Sequence, residues 1–160
     1  MPVRQDYLLR MIEQAFEVLR RILKRRQDGD LVQAVREADG AVDEILGPAA
    51  AIALRLDSFT AAQLIREPER VALWARVTAE KAEALRELGD EPGARAAGRR
   101  ALELSLEAWL LEDEQRRLTP ALREVLAEAL EMARAWAAPD PLSDRHRAAL
   151  EGALRGLARR

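Results

Sequence analysis

The chain has 160 residues, room for one domain. It carries no Cys and a single His, His146, which excludes disulfides, thiolate metal sites and multi-histidine clusters. Apolar residues make up 49% and charged residues 34%, with a net charge of −2. A soluble globular domain is therefore expected, and no overall charge draws it to nucleic acid or anionic lipid.

Ala and Leu dominate the apolar residues, while β-branched and aromatic residues are scarce, so the expected fold is all-α. All but Lys24 and Lys81 of the 26 basic residues are arginine, as a GC-rich bacterial coding sequence would give. No run of about eighteen apolar residues occurs, so no transmembrane helix is expected. The opening MPVRQDYLLRMIEQ holds Asp6 and Glu13 where a signal peptide would have its apolar core. A cytoplasmic location is the expectation.

The first helix is predicted over 6–27, with Asp6 as its cap. Leu8, Ile12, Ala15, Phe16, Leu19, Ile22 and Leu23 recur at steps of three and four and form its apolar stripe. Asp28-Gly29-Asp30 ends it, because Gly29 tolerates the left-handed backbone that closes helices. Asp30 and Gln33 read as a capping box for a second helix, which Gly47-Pro48 terminates. Gly40 sits inside that helix, where a close helix crossing would account for it.

A short helix follows over 48–56. Another is predicted over 61–66, with Thr60 as cap, Gln63 completing the box, and Phe59 and Leu64 as a hydrophobic staple. It must stop before Pro68. The next helix spans 68–88 and carries Val71, Trp74, Ala75, Thr78, Ala82, Leu85 and Leu88 on one face. Gly89 ends it, and Asp90 caps a helix running to about 111. That helix has two apolar stripes, one of Ala94, Ala97, Ala101, Leu104 and Ala108, the other of Gly98, Leu102, Leu106 and Trp109. Two stripes place it in the middle of a bundle, with neighbours supplied by this chain or by a second copy. The charged stretch 112–117 reads as a helical extension or a loop. Thr119-Pro120 starts a helix over 119–137, Pro139-Asp140-Pro141 breaks it, and Ser143 caps a last helix over 143–158. The tail Arg159-Arg160 is expected to fray.

An internal repeat links the two halves. GDLVQAVREADGAVDEIL from position 29 and GDEPGARAAGRRALELSL from position 89 share Gly-Asp, then Ala34 with Ala94, Ala41 with Ala101, and Leu46 with Leu106. Each follows an amphipathic helix, so each is a helical hairpin with small residues on its second arm. The second copy, over 72–106, resembles a tetratricopeptide repeat. Leu85, Leu88, Gly89, Asp90, Ala94, Ala101 and Leu102 fall at the leucine, turn-glycine and small-residue positions, while Pro92 and Arg99 stand where aromatics are usual. The resemblance implies tetratricopeptide-like packing of antiparallel hairpins rather than a regular solenoid. The segment Gln5-Asp6-Tyr7-Leu8-Leu9-Arg10-Met11-Ile12-Glu13-Gln14, with Gly-Asp at both later turns, is similar to the opening of an uncharacterised bacterial family of small all-helical proteins, a domain of unknown function. That resemblance implies a fold and no activity. The expected architecture is one domain over 1–160, of six to seven helices, with hairpins over 6–46 and 68–106 and C-terminal helices over 119–137 and 143–158.

No phosphate loop, nucleophile elbow or Glu-x-x-His pair occurs, so no catalytic, cofactor-binding or metal-ligating residue is assigned and the protein is read as a non-enzyme. His146 reads as a solvated helical residue. Glu13, Glu17, Glu80, Glu83, Glu87, Glu103 and Glu107 read as members of polar faces in surface ion pairs. Arg20, Arg21, Lys24, Arg25 and Arg26 suit the end of the first helix. They are also what a nucleic-acid-associated regulator would use, yet no aromatics interleave them. Trp74, Trp109 and Trp136 lie on apolar stripes. They read first as core packing; the alternative is a concave groove lined by Trp74 and Trp109, with Arg95 and Arg99 near it, as the partner site. The expected function is a non-catalytic interaction or scaffold module for a protein, a peptide or its own copy. A small-molecule-binding protein or enzyme is the remaining alternative.

Overall fold

The computed structural model describes residues 2–138 and 140–159, with the side chains of residues 5–138, 140–157 and 159. Met1, Pro139 and Arg160 lie outside the described residues, so the break read at Pro139 and the fraying read at Arg160 do too. The described chain is all-α. Seven helices of eight residues or more occur: α1 (Pro2–Gln27), α2 (Leu31–Leu46), α4 (Ser58–Ile65), α5 (Pro68–Glu87), α6 (Glu91–Gln115), α7 (Pro120–Ala133) and α8 (Asp144–Ala158). A single helical turn, α3 (Ala50–Ala53), and two 3-10 turns, Gly47–Ala49 and Arg134–Ala137, complete the described elements.

The two Gly-Asp turns are built alike. Gly29 has φ +78° and Gly89 has φ +82°. At the first, Asp30 N donates to Arg25 O and Gly29 N to Arg26 O. At the second, Asp90 N donates to Leu85 O and Gly89 N to Arg86 O. This crossed pair of bonds closes a helix with a left-handed residue, which Gly adopts without a Cβ penalty. The turns fold α1 onto α2 and α5 onto α6.

Several helix starts differ from those the sequence suggests. α1 begins at Pro2, so Asp6 lies inside it; proline suits a first helical position. Asp30 makes no cap bond, because Arg25 draws its carboxylate to 3.3 Å. α4 starts one residue after Asp57, whose carboxylate accepts from Thr60 N and Thr60 Oγ1 at 2.9 and 2.6 Å. Thr60 therefore donates to the cap and is not itself the cap. Phe59 and Leu64 are both exposed and form no buried staple. Asp90, Thr119 and Ser143 cap α6, α7 and α8 as expected. The stretch 112–115 continues α6, which stops where Arg116 turns left-handed. Gly40 faces open space, so no helix crosses there. The close approach is at Gly98, where an added Cβ would lie 2.3 Å from the Trp136 ring.

α5 and α6 are the centre. Every residue from Val71 to Glu80 is buried, because α1, α2, α6 and α7 all pack on α5. α6 is covered by α4, α5, α7 and α8, so its two stripes find their neighbours within one chain. Trp109 lies over Gly152 and Gly156 of α8. Among the described residues no single helix is long and apolar enough to cross a membrane.

Candidate functional site: a groove between two hairpins

α2, α5 and α6 run beside one another and leave a trough of about 690 Å³ between them. α2 presents Val35, Asp39, Val42 and Asp43. α5 presents Trp74, Thr78, Lys81 and Leu85. α6 presents Gly93, Ala96, Ala97 and Arg100, and Leu54 closes one end. These sets recur at three- and four-residue steps, as one face of each helix must. The α6 wall is low because three of its four side chains there are Gly or Ala.

The floor is polar at its closed end. Trp74 is only 2% exposed, and the Arg100 guanidinium lies over it at 4.9 Å from the ring centroid. Arg100 Nη1 donates to Leu56 O and Ser58 Oγ at 2.8 and 3.1 Å, and Nη2 donates to Ala53 O at 3.1 Å. These carbonyls end the α3 turn and carry the negative end of its peptide dipoles. Burial pulls the Arg100 guanidinium below its usual pKa, against the opposing pull of Glu103 and Asp57. At the open end Lys81 Nζ meets Asp39 Oδ1 at 2.7 Å and ties α5 to α2.

The partner residues expected from the sequence do not all meet here. Trp74 forms the floor. Trp109 is half-buried on the far side of α6, against α8. Arg95 is exposed, 3.9 Å from Glu91. Arg99 donates to Ala137 O, Asp140 O and Pro141 O at 3.1, 2.8 and 3.0 Å, so it holds the connection into α8. The residues that sequence reasoning missed at the groove are Asp39, Asp43, Lys81 and Arg100. Their signal was polar side chains set at helical spacing from small or apolar ones: Asp39 three before Val42, Lys81 seven after Trp74 and Arg100 three after Ala97.

Two of the charged clusters inside the molecule stand where surface pairs were expected. Glu107 is fully buried. It accepts from Arg145 Nε and Nη2 at 3.0 and 2.9 Å and meets His146 Nε2 at 2.7 Å. His146 is 6% exposed and not the solvated residue its sequence context suggests. Arg145 also covers the Phe59 ring at 4.7 Å. Burial pushes the Glu107 carboxyl up, but the hydrogen bonds from His146 and Arg145 outweigh it and hold the group below the ordinary carboxylate range. Glu80, 1% exposed, accepts from Arg76 Nη1 at 2.5 Å and from Arg26. Arg76 reaches on to Glu128 at 3.1 Å and Arg26 to Glu87 at 2.6 Å, so α1, α5 and α7 share one network. These glutamates are buried because α5 and α6 are wrapped on faces that an isolated helix would turn to water. Both clusters are closed by protein partners and neither opens into the groove.

Arg25 and Arg26 are spent on Glu37, Glu80 and Glu87, while Arg20, Arg21 and Lys24 stay exposed beside Glu17. Among the described residues no three His, Asp or Glu side chains are grouped to hold a metal ion. No known family model, curated protein or solved structure matches the chain.

Proposed function

We propose that the protein is a non-catalytic interaction module of the cytoplasm that holds a peptide segment of a partner protein in the trough between α2, α5 and α6. The observation that carries this reading is the trough itself, a concave surface of about 690 Å³ with apolar side chains and a low wall of Gly and Ala. Such a surface suits an inserted chain segment, since small wall residues let a second backbone approach. Tetratricopeptide-like stacking fits the same reading. α5 lies against both arms of the first hairpin, and α7 lies against both arms of the second. The nucleic-acid reading of 20–26 has less support, because ion pairs occupy Arg25 and Arg26.

The test is a random peptide display screen on the purified protein, counter-selected against Ala97→Arg, which fills the trough. Enriched peptides are expected to bind the wild type in calorimetry and to lose binding in Ala97→Arg. Peptides that bind both proteins equally, or an unenriched library, would sink the proposal.

A further inference from the structure

We infer that the segment the groove accepts is a basic amphipathic peptide, with one apolar strip flanked by Lys or Arg. This rests on the groove reading above and adds the chemistry of the occupant. The apolar strip follows from Val35, Val42, Leu54 and Leu85, which the trough leaves facing its interior space. The sign of the flanks follows from the charges left over once internal pairs are set aside. Lys81 is matched by Asp39 at 2.7 Å. Arg100 is turned down onto Trp74, donates to the carbonyls of Ala53 and Leu56, and has its charge offset by Glu103 and Asp57. What remains is acidic and sits on both walls. Asp43, exposed on α2, has no cation within ion-pair distance among the described residues. Asp90, at the start of α6, is exposed, commits Oδ1 to Gly93 N and has no cation within ion-pair distance among the described residues. A peptide lying between them meets a carboxylate on either side of that apolar strip. Cationic side chains with long aliphatic stems meet both demands at once, since the stem covers apolar surface while the head reaches the rim. An acidic peptide would meet Asp43 and Asp90 as like charges, which is a specificity cost at an interface.

The test uses the full chain and labelled synthetic peptides: an amphipathic Leu/Lys helix, its Leu/Glu counterpart, and a Ser/Lys peptide with the charges but no apolar strip. Fluorescence anisotropy is expected to show the Leu/Lys peptide binding at least about ten-fold more tightly than either of the others. Asp43→Lys is expected to weaken it about ten-fold, and Glu124→Lys, an equal charge change on the exposed face of α7, to leave it unchanged. Ala97→Arg and Ala96→Arg, two independent blocks on one wall, should abolish it while keeping helical circular dichroism. Equal binding of the Ser/Lys peptide, or equal loss in Glu124→Lys and Asp43→Lys, would reduce the effect to general charge attraction and overturn the inference. A Leu/Glu peptide bound more tightly and blocked by Ala97→Arg would overturn the basic preference while leaving the groove reading intact. Binding of every peptide untouched by both Ala variants would overturn both.

Discussion

Glu107 shows how one buried carboxylate sets the attachment of a helix. Its two oxygens take three hydrogen bonds from adjacent residues of α8, Arg145 and His146. Glu107→Gln keeps the shape but removes the charge, and leaves Arg145 and His146 facing an amide. A loss of about 2 kcal/mol in urea unfolding at neutral pH is expected. The pH dependence has a definite sign. Because the folded pKa of Glu107 is depressed, its contribution is complete above the unfolded carboxylate value and disappears as pH falls through the folded one. The stability gap between wild type and Glu107→Gln should therefore narrow below about pH 4. A gap that stayed constant from neutral to acid would show that the charge of Glu107 carries no stability. None of this was legible in the sequence. Glu107 and His146 lie on different helices, and only the seating of α8 on α6 brings them together.

At the level of helices, glycine separates what the sequence dictates from what packing decides. Gly29 and Gly89 stand at identical turns, and the repeated Gly-Asp pair announces both, because the left-handed backbone is a local demand. Gly40 and Gly98 look alike in sequence, each inside a helix, yet their surroundings are opposite. Gly40 meets nothing and Gly98 lies under Trp136. Thermal unfolding of three alanine variants tests the contrast. Gly40→Ala is expected to stabilise by about 1 kcal/mol through helix propensity. Gly89→Ala should destabilise by about 1–2 kcal/mol through backbone strain, and Gly98→Ala by a similar amount through the displaced indole. The helix boundaries follow the same division. Local signals place α5, α7 and α8 well. They fail at α4, where two capping residues three apart compete and Asp57 wins by accepting both Thr60 donors.

For the whole molecule, the two-striped α6 frames the question of assembly. A helix apolar on two sides needs cover, and α4, α5, α7 and α8 supply it within the chain. Light scattering after size-exclusion chromatography should therefore give one mass near 17.9 kDa, unchanged with concentration. A concentration-dependent dimer would mean that the exposed Ile52, Leu54, Phe59 and Leu64 are used against a second copy. The all-α architecture was legible from composition and periodicity alone. The groove was half legible: Trp74 was marked by its stripe, while the acidic rim depends on how α2 is set against α6, a distance no periodicity encodes.

The three tryptophans occupy three separate joints: Trp74 beneath Arg100 at the groove, Trp109 between α6 and α8, and Trp136 on Gly98. Each is thus a built-in optical reporter of one joint, and replacing the other two with Phe isolates its emission. α8 packs chiefly on α6, with Arg145 reaching Phe59 of α4, whereas Trp74 sits in the helix that α1, α2, α4, α6 and α7 all touch. As denaturant rises, the Trp109 signal should shift to the red before that of Trp74, so the C-terminal helix peels away from a core that is still closed. Coincident shifts at all three sites would instead make the chain a single cooperative unit from the first hairpin to the last helix.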